Sequence, residues 1–224
     1  MSTPPLALVT GASSGIGAAT ALALGREGWK VVLVARGRAR LGECAEAIRA
    51  EGGVAIEEPV DASDGRAARG LADRVTATFG VPDVIVHAAG AGVWRFVEET
   101  SPDEAERMMA APHFAAFHVT SAFMPGLLAR GSGLLVHVNS PAARIPWPGA
   151  TGYTAARWAL PAVEEVPRAP STTPASGPPR RSSPARSGSW SGSPGDDGVE
   201  FLEPDPTTSG QGRVPAGERN LPEG

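Results

Sequence analysis

The sequence predicts an α/β fold, a doubly wound parallel sheet, on three observations. Five short apolar runs alternate with helical stretches up to about residue 168. Each run is nearly continuous instead of alternating with polar residues, as strands covered on both faces are. The first run feeds a glycine-rich turn that opens a helix, and in sheets of this kind ligands bind at the carboxyl ends of the strands.

Leu6-Ala7-Leu8-Val9 reads as the first strand, and Thr10-Gly11-Ala12-Ser13-Ser14-Gly15-Ile16-Gly17 follows it directly. Glycine at these spacings lets the chain turn sharply and leaves no side chain between main chain and ligand. The N–H groups that open the next helix, with its dipole behind them, suit a pyrophosphate. The spacing Gly-x3-Gly-x-Gly is one residue longer than the common dinucleotide fingerprint, and no lysine follows as a P-loop requires. A turn of this composition also arises for structural reasons alone. Further strands are read at Val31-Val32-Leu33-Val34, Val54-Ala55-Ile56, Val84-Ile85-Val86 and Leu134-Leu135-Val136-His137-Val138. Helices are read over 14–28, 38–51, 64–79, 102–130 and 152–168. Pro112 removes a hydrogen bond inside the long fourth helix and predicts a kink; Pro161 and Pro167 weaken the end of the last.

Composition narrows the function classes. The chain has 224 residues and a net charge of -4, with no long basic run, which argues against a nucleic-acid surface. A single cysteine, Cys44, excludes an internal disulfide, and its Ala/Glu-rich helical setting reads as a packed thiol. No apolar run reaches bilayer length and the N-terminus leads straight into a strand, so a soluble cytoplasmic protein without membrane attachment is expected. The histidines His87, His113, His118 and His137 lack metal-ligand spacing and read as structural, so no metal site is expected.

Past residue 169 the character changes. More than half of the chain's 22 prolines lie beyond Leu160, and Ser, Gly, Pro and Arg dominate from Pro170 onward. The expected organisation is a dinucleotide-binding domain over 1–169 and a disordered tail over 170–224, too poor in apolar residues to offset its conformational entropy.

The motifs together resemble the short-chain dehydrogenase/reductase family over residues 6 to about 169. Thr10, Gly11, Gly15 and Gly17 match its cofactor turn, and Asp61 after the third strand matches its adenine-contacting aspartate. Ala89 and Gly90 match the end of its Asn-Asn-Ala-Gly, with His87 and Ala88 in place of both asparagines. Ser140 and Tyr153, thirteen residues apart, match its catalytic serine and tyrosine. The resemblance implies hydride transfer between a nicotinamide and a small carbonyl or alcohol substrate, the tyrosine hydroxyl moving the proton and the serine holding the substrate oxygen. It implies a cofactor site made of Gly11, Ser13, Ser14, Gly15, Ile16, Gly17, Arg36, Asp61, Ala89, Gly90, Tyr153 and Arg157. Taken singly, Ser140 also reads as a strand-end turn residue and Tyr153 as a packed ring.

Three positions depart from the family pattern. Its lysine four residues after the tyrosine is Arg157 here, a permanent cation that still favours a phenolate and can donate to ribose hydroxyls. Lys30, the single lysine among 20 basic residues, is poorly placed to substitute. The family's helical asparagine falls on Pro112. At the end of the second strand, where an acidic residue would favour NAD, stand Ala35 and Arg36, with Arg38 and Arg40 behind. A guanidinium suits a 2′-phosphate, so NADP is expected, with NAD as the alternative and helix-start solvation as the structural reading of these arginines.

The family's sixth and seventh strands and its Pro-Gly turn are not legible after Tyr153. A shifted reading frame is one explanation, since codons compatible with Pro174-Ala175-Ser176-Gly177 permit Thr-Gly-Val-Arg in the neighbouring frame; a low-complexity tail is the other. Either way the fifth strand's neighbourhood is left uncovered, and exposed apolar faces of that kind predict aggregation or association; the resemblance leaves open a homo-oligomer through the Tyr153 helix. Three functions compete: an NADP-dependent oxidoreductase, a non-catalytic dinucleotide-binding remnant, and an interaction protein acting through its tail.

Overall fold

β1 (Leu6–Thr10) is buried along its whole length and pairs in parallel with β2 (Lys30–Ala35) on one side and β4 (Val84–His87) on the other. With β3 (Val54–Pro59) beyond β2 and β5 (Leu134–His137) beyond β4, the order is β3-β2-β1-β4-β5, all parallel. The computed structural model describes residues 3–163; the tail expected over 170–224 lies outside the described residues. The direction of strand addition reverses at β1, and this opens a crevice at the carboxyl ends of β1 and β4, where a doubly wound sheet takes its ligand.

The helices are α1 (Gly15–Arg26), α2 (Arg38–Ala50), α3 (Gly65–Phe79), α4 (Pro102–Met109), α5 (Ala115–Arg130) and α6 (Thr151–Ala159). Side chains alternate across the sheet. Ala7, Val9, Val31, Leu33, Val84 and Val86 join Leu41, Ala45 and Ile48 of α2 in one core. Leu8, Val32, Val34 and Ile85 join Leu71, Val75, Val119 and Phe123 of α3 and α5 in the other. A fully buried aliphatic side chain contributes roughly 1.5–3 kcal/mol. These two layers, and not helix propensity, therefore hold the sheet.

Three boundaries differ from the sequence reading. β3 runs on to Pro59, because at the sheet edge its polar residues find partners: Glu57 pairs with Arg49 at 3.0 Å and Glu58 with Arg74 at 2.7 Å. An edge strand also tolerates the proline, which has no N–H to give the ladder. The helix expected over 102–130 is interrupted by a π turn at Ala110–Phe114, where the Ala115 N–H donates to the Ala110 carbonyl. Pro112 is buried in that turn, so the kink takes the form of one widened turn. α6 gives way after Ala159 to a 3-10 turn, Leu160–Val163, around Pro161. The remainder of the helix expected over 152–168 lies outside the described residues.

β5 is the sheet edge among the described residues. Its Leu135 packs on the α3–α5 core, but Leu134 and Val136 on the opposite face are 58% and 37% exposed. Among the described residues no strand pairs with the outer edge of β5, so an open ladder and apolar side chains lie together at one place.

Candidate active site

The glycine turn is shaped by backbone packing. A Cβ on Gly11, whose φ is +69°, would lie 2.7 Å from the Ala88 carbonyl oxygen, and one on Gly17 would lie 2.7 Å from the Gly11 carbonyl carbon. Gly15 differs, with φ +53° and open space where a Cβ would stand. Thr10 ties the turn to the next strand: its hydroxyl accepts from the Ala89 N–H at 3.2 Å and donates to the Val86 carbonyl at 3.5 Å. Ser14, the N-cap of α1, gives the helix no side-chain hydrogen bond. The first N–H groups of α1 have no acceptor within the helix and open on the cleft, as a pyrophosphate site requires. The chain's own residues thus fit a dinucleotide.

A cleft of about 1370 Å³ runs from this turn across the sheet ends. Gly11, Ser13, Ser14, Gly15, Ile16 and Gly17 line it, and so do Arg36, Asp61, Ala89, Gly90, Ser140, Tyr153 and Arg157. The twelve residues of the expected cofactor site and Ser140 therefore meet in one place, while Thr10 lies beneath the turn. Arg36, just after β2, and Arg40, in the first turn of α2, line the cleft, whereas Arg38 does not. Asp61 is fixed at the wall because its Oδ1 accepts from the N–H and hydroxyl of Ser63, at 3.0 and 2.6 Å.

Ser140 follows β5 and caps a short turn, its Oγ accepting from the Ala142 N–H at 3.3 Å. The turn leaves the hydroxyl proton unused, so the same side chain can cap the turn and donate into the cleft. Tyr153 lies in the first turn of α6. The Arg157 guanidinium lies 5.0 Å from the centre of its ring, one helical turn on. One arm of that guanidinium is fixed, Nη1 donating to the Val138 carbonyl at 2.9 Å, and Asn139 Nδ2 donates to the Arg157 carbonyl at 3.3 Å. The other arm, Nη2, reaches within 2.8 Å of where a Gly90 Cβ would stand. Lys30 lies at the opposite end of β2, over the Phe79 ring at 5.3 Å.

Trp94 and Trp147, which the sequence leaves open between apolar pocket and core, line the cleft beside Tyr153. Trp94 stacks on the tyrosine at 6.2 Å, and Gly92 is placed so that a Cβ would collide with its ring. Both come from the loop after β4, about sixty residues upstream, and no local pattern announces the contact.

The histidine in the first asparagine position is structural. His87 is 3% exposed, its Nε2 hydrogen-bonded to Thr120 Oγ1 at 2.9 Å and its ring 4.7 Å from that of His137. Burial, with a smaller contribution from His137, lowers its pKa to about 3. The unfolded chain binds this proton near pH 6.5 and the folded chain refuses it until about pH 3. Stability from this group therefore falls as pH drops through that window, by up to about 1.4 kcal/mol per pH unit. Denaturant titrations from neutral to mildly acidic pH should show a shallower loss for His87→Asn; an unchanged slope would remove His87 as the cause. Burial also raises the Cys44 pKa, in keeping with a packed thiol.

The family profile described as short chain dehydrogenase matches residues 5–167. Among curated proteins, glycine betaine reductase ATRR of Emericella nidulans is 37% identical over 153 residues, which is 68% of this chain and 12% of that protein. A short chain dehydrogenase of Pseudocercospora fijiensis is 35% identical over 158 residues, 69% of this chain and 50% of that one. The chain thus spans no more than half the length of these relatives. Among solved structures, the alcohol dehydrogenase of the archaeon Thermococcus sibiricus complexed with 5-hydroxy-NADP has a TM-score of 0.68 at 31% identity, covering 72% of this chain and 68% of that one. A metagenomic short-chain oxidoreductase in complex with NADP has a TM-score of 0.68 at 35% identity, covering 71% and 72%.

Proposed function

Because the chain belongs to the short chain dehydrogenase family, we propose that it is an NADP-dependent oxidoreductase acting on a small carbonyl or alcohol. The observation that carries this is the convergence of the glycine turn, Ser140, Tyr153 and Arg157 on one cleft. The α1 N-terminus and the glycine turn would hold the pyrophosphate of NADPH, Asp61 the adenine, and Gly90 with Arg157 Nη2 the nicotinamide ribose. Held there, the cofactor would supply the hydride for the carbonyl carbon. Ser140 donates a hydrogen bond to the carbonyl oxygen. Tyr153 delivers its hydroxyl proton to that oxygen as it becomes an alcohol, and the Arg157 guanidinium against its ring stabilises the phenolate left behind.

Arg36 reads the 2′-phosphate. A charge-assisted hydrogen bond is worth about 1.5–3 kcal/mol, so Arg36→Asp should shift the NADPH-to-NADH affinity ratio about ten- to a hundredfold toward NADH. Parallel titrations measure it, and an unchanged ratio would leave Arg36 a solvating residue only.

One observation favours a second reading, a dinucleotide-binding protein without turnover. The position where the resemblance implies an asparagine holds Pro112, buried in the π turn and without a side-chain amide. NADPH consumption over a panel of aldehydes and ketones separates the two. Turnover with any of them supports the enzyme; saturable NADPH binding without turnover supports the binding protein.

A further inference from the structure

We propose that the substrate arm of this cleft is built for an aryl carbonyl compound, an aromatic aldehyde or ketone whose ring lies against Trp94 and Trp147. The inference rests on the oxidoreductase reading and gives it a substrate class. Trp94 and Trp147 both line the cleft, 59% and 48% exposed, with their rings edge to face at 5.9 Å. Trp94 also stacks on Tyr153 at 6.2 Å and 23°. Three rings thus form one aromatic notch ending at the phenol that carries the proton. Indoles left this bare beside a reacting group present flat area that a planar partner covers.

The notch is held in place before any ligand arrives. A bridge between Arg95 and Ala150 joins the loop bearing Trp94 to the segment between Trp147 and α6, and the Thr151 N–H donates to the Arg95 carbonyl at 3.4 Å. Phe96 lies against Gly149 across the same seam, 3.6 Å from where a Cβ would stand. A rigid ring entering a rigid notch loses little conformational freedom on binding, unlike a flexible alkyl chain.

Among the described residues the lining favours an aryl ring over a sugar or polyol, the other class that lies flat on tryptophan. Beside the rings the arm offers Ala91, Val93, Met108 and Ala142, with Glu104 and Arg107 as its charged members. Glu104 is engaged by Arg95 at 3.3 Å and by the Ser101 cap. Several hydroxyls would enter with too few partners, each at a desolvation cost. An aryl carbonyl has one polar group, which meets Ser140 and Tyr153.

Acetophenone and cyclohexyl methyl ketone share a skeleton and differ in the flat ring. Their dissociation constants, read by ligand-observed NMR with and without NADPH, test the proposal independently of turnover. Acetophenone should bind more tightly, and Trp94→Ala or Trp147→Ala should each weaken it about two- to tenfold with less effect on the saturated ketone. Trp94→Phe should restore part of the loss. Both tryptophans are half-exposed, so folding is not at stake. Equal affinities for the two ketones, or alanine variants that bind acetophenone as the parent does, would overturn the aryl site. Loss of NADPH binding in the same samples would strike the cofactor reading instead.

Discussion

Replacing Tyr153 with phenylalanine is expected to slow carbonyl reduction by about a hundred- to ten-thousandfold and to change NADPH affinity far less. The substitution is close to a pure deletion of one proton. The ring that stacks on Trp94 and lies against Gly92 stays, and so does the Arg157 guanidinium over its face. Tyr153 is also the only tyrosine of the chain, so no second phenol can take over. Single-turnover measurements with bound NADPH isolate the chemical step from product release. A variant as fast as the parent would show that the proton comes from elsewhere, from solvent or from Ser140, and would end the assignment of Tyr153.

Gly17→Ala is the second large effect, expected at the opposite end of the cleft. Gly17 is buried in the first turn of α1 and packed against the Gly11 backbone. The atoms an added methyl would meet, in Gly11 and Ala12, are all backbone, so it must displace the turn itself. The expected cost is about 1–3 kcal/mol of stability, with NADPH binding abolished because the N–H groups that face the pyrophosphate move with the turn. Denaturant unfolding gives the first quantity and a titration the second. Gly15→Ala is the informative contrast. At Gly15 a Cβ meets nothing in the protein, so only the φ of +53° and the space reserved for ligand are disturbed. A Gly17→Ala variant with parental stability and affinity would contradict the backbone contact.

The architecture was legible because the strands are buried on both faces. Runs such as Val31-Val32-Leu33-Val34 admit no polar interruption when helices cover both sides, so the sequence carried the strand centres. Polar strand residues were not legible. Glu57 and Glu58 look like loop until the arginines of two neighbouring helices are seen to pair with them. Pro112 announced a disturbed helix but not its form, since a missing N–H is compatible with a break, a bend or the π turn found.

The site divides in the same way. The glycine turn is a local object, and the thirteen-residue spacing of Ser140 and Tyr153 joins the end of β5 to the start of α6, so the candidates could be named from the chain. What surrounds them depends on tertiary approach. Gly92 gave no signal as a site glycine, because its role is to make room for a ring sixty-one positions on. Arg157 reads as a simple replacement for a lysine, yet the structure commits one of its arms to the Val138 carbonyl, which leaves Nη2 to face Gly90.

Titration of NADPH and NADH into the folded chain decides whether the cleft at the carboxyl ends of β1 and β4 holds a phosphorylated dinucleotide. NADPH is expected to bind saturably with a dissociation constant at or below about 1 mM. NADH is expected to bind more weakly, with that preference reduced in Arg36→Asp. A folded chain that binds neither dinucleotide would contradict the dinucleotide site.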